Sequence, residues 1–123
     1  MRIDYDGRRF SPAGPGSEPE SGRVAEYRQQ QDLLWGEFSG GQARRGSLTG
    51  TCSPEGVLDF AYCLVLDSGE IISGRCHSTP TVLADGRIRL DEQWERFEPH
   101  AASGTSALEE VLITDRREVQ EPA

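Results

Sequence analysis

Runs in which apolar and polar residues alternate recur along the chain, and turn signals end them: Asp6-Gly7, Gly40-Gly41, Pro54-Glu55-Gly56, Ser68-Gly69 and Asp85-Gly86. An alternation of period two gives a strand one apolar face, and frequent turns fold each strand back on the one before it. The chain therefore reads as an antiparallel β-meander. The pattern predicts strands at about 23–29, 32–39, 42–52, 57–66, 70–79, 87–97 and 104–114, after a small hairpin over 2–10 with Ile3 and Tyr5 on one face. The expected fold class is all-β, an up-and-down meander of eight or nine strands closed into a small barrel. Ala107 to Ile113 also carries a helical stripe at Leu108, Val111 and Leu112. The Gly104-Thr105-Ser106 before it and its β-branched end favour the strand.

Two stretches do not alternate. Residues 11–22 (SPAGPGSEPESG) are too rich in proline and glycine for a regular element, and read as a surface loop or as a flap over a barrel mouth. Residues 115–123 (DRREVQEPA) read as a charged, frayed tail. The organisation is one barrel domain over 1–114 followed by that tail, since 123 residues suit a single core.

Hairpin arithmetic turns the pattern into a candidate site. If Ser68-Gly69 is a two-residue turn, Tyr62 faces Arg75, Phe60 faces His77 and Leu58 faces Thr79. Counting across Asp85-Gly86 in the same way sets Thr79 against Glu92, His77 against Trp94 and Arg75 against Arg96. On that register Phe60, Tyr62, Arg75, His77, Glu92 and Trp94 share one inward patch, with Thr79 beside them. Aromatic walls with a few convergent polar groups suit a small-molecule site. The same residues also have ordinary structural roles: Glu92 paired with Arg75, His77 a satisfied core histidine, Trp35 a core ring. Pro80 cannot donate to a ladder, and a bulge there would turn Glu92 and Trp94 outward. The inward face of 42–52 is either Arg44, Gly46, Leu48 and Gly50 or Arg45, Ser47, Thr49 and Thr51. The first set packs better against Leu33 and Trp35.

Charge and cysteine usage remove several classes. A net charge of -8 leaves no basic patch for nucleic acid or an anionic membrane beyond the short pairs Arg44-Arg45 and Arg116-Arg117. Cys52, Cys63 and Cys76 are odd in number and lack C-x-x-C spacing, so neither a zinc site nor a disulfide framework is expected. No metal or cofactor is expected. There is no apolar run of membrane-spanning length, and Met1 to Tyr5 lack a signal-peptide core, so the expectation is a cytoplasmic protein. His77 and Ser78 are strand neighbours pointing to opposite faces, which excludes them as base and nucleophile.

The segments MRIDYDGRRF (1–10), LLWGEFSGGQARRGSLTGT (33–51), GVLDFAYCLV (56–65), GRCHSTP (74–80), DGRIRLDEQWE (85–95) and GTSALEEV (104–111) resemble, in order, a family of small bacterial proteins of similar length. Members often carry the label "N-acetylglutamate synthase", and the resemblance would import that name. The activity needs a Q/R-x-x-G-x-G/A loop leading into a helix to hold the acetyl-CoA pyrophosphate. The nearest segment, Gln42-Ala43-Arg44-Arg45-Gly46, lacks the second glycine and falls in a strand. What the resemblance implies is a calycin-like β-barrel, lipocalin-like in outline, with no catalytic residues to carry over.

Three functions follow. The first is a barrel binding a small, mostly apolar organic molecule with a polar or anionic group, its ring on Trp94, Phe60 or Tyr62 and its polar end on Arg75 and His77. The second is a barrel isomerase, cyclase or hydrolase with His77 or Glu92 as general acid or base. The third is a solid barrel whose outer sheet face makes a homodimer.

Overall fold

The computed structural model describes residues 2–13 and 23–111. Eight strands run in chain order: β1 (Arg9–Pro12), β2 (Val24–Gln30), β3 (Leu33–Gly40), β4 (Ala43–Cys52), β5 (Leu58–Leu66), β6 (Ile71–Val82), β7 (Ile88–Arg96) and β8 (Ala102–Glu110). Each pairs antiparallel with the next, and β8 pairs with β1, so the sheet is a closed barrel without helices among the described residues. The all-β meander holds, with eight strands. Segment 14–22 of the anticipated loop, residues 112–114 of the last expected strand and the tail 115–123 lie outside the described residues.

The N-terminal segment is not the hairpin its alternation suggests. Asp6-Gly7 does form a turn, but only Arg9–Pro12 enters the sheet. Residues before the turn cross one end of the barrel instead. Gly7 N–H donates to the Tyr27 carbonyl (2.8 Å), and the Tyr5 N–H donates to Gln29 Oε1 (2.9 Å). Tyr5 is fully buried, and its hydroxyl donates to the Gly56 carbonyl oxygen (2.6 Å), while Ile3 packs on the same core. This pins the segment across the barrel end where β4 meets β5 and closes it with side chains. The main core lies next to that plug: Phe10, Tyr27, Leu34, Cys52, Leu58, Ile88 and Leu90.

The hairpin loops correct the expected register. Leu66 N–H donates to the Glu70 carbonyl (2.9 Å) and Gly69 N–H to the Leu66 carbonyl (2.8 Å), with Gly69 at φ +94°. That is a three-residue loop closed by a left-handed glycine, not a two-residue turn. The β6–β7 loop repeats it, with Leu83 bonded to Arg87, Gly86 to Leu83 and Gly86 at φ +91°. Tyr62 therefore faces Gly74, Phe60 faces Cys76 and Leu58 faces Ser78. Ser78 faces Glu92, Cys76 faces Trp94 and Gly74 faces Arg96. Each loop slips the pairing by one residue, and one residue of slip inverts a strand. Two slips restore β7 relative to β5, so Phe60, Tyr62, Glu92 and Trp94 keep their common inward face. Only β6, between them, is inverted: Ile72, Gly74, Cys76 and Ser78 point inward, while Arg75, His77 and Thr79 are exposed outside.

Pro80 makes no bulge and sits opposite Leu90 in an unbroken ladder. The irregularities flank the β3–β4 turn instead, at Phe38/Gly40 and Ala43/Arg45. Gly46, Leu48 and Gly50 face inward as expected, but Arg44 lies at the bulge and is exposed. Leu33 and Trp35 pair with Thr51 and Thr49 and point outward, 46% and 37% exposed, rather than into the core. All three cysteines are free thiols.

Candidate functional site

The barrel end opposite the Tyr5 plug, where the β3–β4, β5–β6 and β7–β8 connections lie, opens into a cavity of about 350 Å³. Its walls include Phe10, Tyr27, Phe38, Phe60, Tyr62 and Trp94, with Leu48, Leu64 and Leu108 between them. Sequence dictates how these rings lie. Inward-facing aromatics sit directly opposite a glycine on the neighbouring strand: Phe38 with Gly46, Tyr62 with Gly74, and Trp94 with Gly104. A Cβ at Gly74 would stand 2.6 Å from the Tyr62 hydroxyl oxygen, and one at Gly104 would stand 2.7 Å from Trp94 Cζ2. Each ring can therefore lie down over its glycine instead of standing into the barrel. Rings lying against the wall leave the middle of this end open, and only glycine permits that approach.

A polar cluster lies on one side of it, with Glu92 and Ser106 on its wall and Ser78 buried behind them. Glu92 on β7 accepts from Ser106 Oγ of β8 (3.1 Å to Oε1) and from Ser78 Oγ of β6 (3.3 Å to Oε2). Cys76 Sγ lies 3.6 Å from Ser78 Oγ. Burial raises the Glu92 carboxyl above the usual carboxylate range, against the opposing pull of Ser106, Cys76, Ser78 and the Arg23 charge. Burial, followed by the field of Glu92, pushes the Cys76 thiol up to about 12, so it stays protonated and unreactive. Tyr27 is raised well above its ordinary value by burial first and Glu92 second. Nearer the rim, Arg96 lies over the Trp94 ring at 5.6 Å, and its charge opposes the rise that burial imposes on the Tyr62 hydroxyl.

Of the residues singled out from sequence, the structure brings Phe60, Tyr62, Glu92 and Trp94 to this cavity and leaves Arg75 and His77 outside it. Arg75 and His77 instead line an open depression on the outer face of β4–β8, about 940 Å³, together with Asp59, Gln93 and Glu95. There His77 Nδ1 is 2.6 Å from Asp59 Oδ1, and Arg75 Nε is 3.8 Å from Glu95 Oε1. Arg75 thus pairs with Glu95, not with Glu92. This depression is larger but open to solvent and flanked by charged pairs, whereas the inner cavity is walled by rings. Sequence reasoning missed Arg96, which shares the face of Glu92 and Trp94 by simple alternation. It also missed Cys76 and Ser78, hidden by the inverted register, and Ser106 opposite Glu92.

Linkage gives the pocket a testable signature. A carboxyl raised in the folded state binds its proton more tightly there than in the unfolded chain, so stability falls as pH rises from the unfolded value through the folded one. Below both values the penalty vanishes. Glu92→Gln is therefore expected to raise the Tm at pH 8 and leave it unchanged near pH 3, as thermal unfolding across pH would show. Equal Tm differences at both pH values would contradict the buried-carboxyl account.

A closed antiparallel barrel of eight next-neighbour strands, plugged at one end and, among the described residues, open at the other over an aromatic cavity, defines a calycin-like barrel protein. The model of the family described as avidin-like protein matches residues 3–111, and the chain belongs to that family. No curated protein and no solved structure matches the chain.

Proposed function

We propose that the protein binds a small organic molecule in the open end of the barrel, its mostly apolar body lying between Phe60, Tyr62 and Trp94. The observation that carries this reading is the 350 Å³ cavity, within the range of small-molecule sites and walled by rings and leucines with Arg23, Gln42, Glu92, Arg96 and Ser106 set among them. Membership of an avidin-like family, whose barrels typically hold small ligands, supports it. Arg96, rather than Arg75 or His77, anchors the anionic group, because it lines the cavity and they face away. A guanidinium suits a carboxylate by its paired donors. The outward placement of His77 removes it as acid or base for chemistry inside the barrel. A solid barrel is disfavoured by the open volume itself.

An anilinonaphthalene sulfonate dye, apolar with one anionic group, serves as probe. In a Trp35→Phe background the remaining indole is Trp94, and saturable quenching with one dye per chain is expected. A linear, non-saturating response would reject the site.

A further inference from the structure

The ring-walled cavity has a polarity that names its ligand more closely, an inference that rests on the cavity being a ligand site. The protons around Glu92 are already committed. Ser106 Oγ and Ser78 Oγ each spend their single hydroxyl proton on the carboxylate, and the Cys76 thiol shares the same chain of contacts. What Glu92 and Ser106 turn toward a newcomer is therefore lone pairs, with Ser78 fully buried behind them. A charged carboxylate in a ring-walled cavity is costly without a counter-charge. Among the described residues the groups facing it are Tyr27 from β2, Tyr62 from β5, Cys76 and Ser78 from β6, Ser106 from β8 and, ahead of β2, Arg23, whose pull on Glu92 is the smallest of the named influences. Burial outweighs them all. Among the described residues the site is thus short of positive charge at its inner end, and positive at its rim, where Arg96 lies over Trp94.

We propose that the cavity takes an elongated amphoteric ligand, with an ammonium- or amidinium-type donor reaching Glu92, an apolar body along the rings and a carboxylate on Arg96. Length follows from the strand. Glu92 and Arg96 are four residues apart on the same face of β7, so their Cα atoms lie about 13 Å apart. An α-amino acid, whose two charges share one carbon, fits this spacing less well than an ω-amino acid whose ring or chain lies along Trp94, the residue between them on that face.

The test uses three biphenyl probes that share one body. The first, 4'-(aminomethyl)biphenyl-4-carboxylate, has both ends; the second replaces aminomethyl by methyl; the third is the methyl ester of the first. Calorimetry at pH 8 is expected to show the complete probe binding at least tenfold tighter than either analogue. The advantage over the methyl analogue should disappear in Glu92→Gln, and that over the ester in Arg96→Gln. It should also shrink as pH falls through the Glu92 titration, since protonation removes the charge the amine meets. If the methyl analogue binds as tightly as the complete probe, the amphoteric assignment is overturned while the cavity remains a site for apolar anions. If no probe binds, both the assignment and the binding site are overturned.

Discussion

Gly50→Ala is expected to cost about 3 kcal/mol, because the added methyl has nowhere to go. A Cβ at Gly50 would collide with the carbonyl oxygen of Asp59 and stand 2.5 Å from Phe60 Cα, both main chain of the adjoining strand β5. A flexible side chain could swing aside. Main chain in a ladder cannot do so without parting β4 from β5, and in a closed barrel every other pair resists the parting. Gly7→Ala makes the control. Gly7 has a positive φ of +83° but nothing within 4 Å of its added Cβ, so the cost is conformational and about 1 kcal/mol. Urea unfolding of the two variants should separate steric from conformational cost; equal losses would show that β4 and β5 tolerate separation at Gly50.

The contrast between those glycines marks what could be read from sequence. The meander was legible because alternation and turn residues act locally: each strand announces its apolar face, and each X-Gly announces a reversal. Loop length was not legible. Ser68-Gly69 and Asp85-Gly86 end in a left-handed glycine whether the loop holds two residues or three, and the pairing of β6 hangs on that single residue. Hence Glu92 and Trp94 were placed correctly beside Phe60 and Tyr62 through two compensating slips, while Arg75 and His77 were placed on the wrong face. The stacking of Tyr62 on Gly74 and Trp94 on Gly104 needs cross-strand register before it can be seen. So does the opposition of Ser106 and Glu92. Tyr5 failed for a different reason. Its alternation with Ile3 is strand-like, yet the short segment before Asp6-Gly7 buries more by crossing the barrel end, where the Tyr5 hydroxyl finds the Gly56 carbonyl.

Trp94→Ala is expected to separate a binding barrel from a solid one. The ring lies over Gly104, beneath Arg96, with part of its surface exposed at the cavity. Removing it enlarges a space that already exists, so the loss of stability should be about 1 kcal/mol, well under the 3–5 kcal/mol of an aromatic deleted from a filled core. Binding should suffer much more. Burial of a large aromatic face against a ligand is worth up to about 3 kcal/mol, which corresponds to roughly a hundredfold weaker affinity for the naphthalene dye. Arg96 would also lose the ring it rests on, and with it part of the order that aims its charge at the rim. Urea unfolding and dye titration on the same preparation read the two effects independently. A small change in unfolding with a large loss of binding is the signature of a pocket wall. A loss of several kcal/mol with dye binding intact would mean that Trp94 is structural packing and that the dye sits elsewhere, which would remove the inner cavity as the functional site.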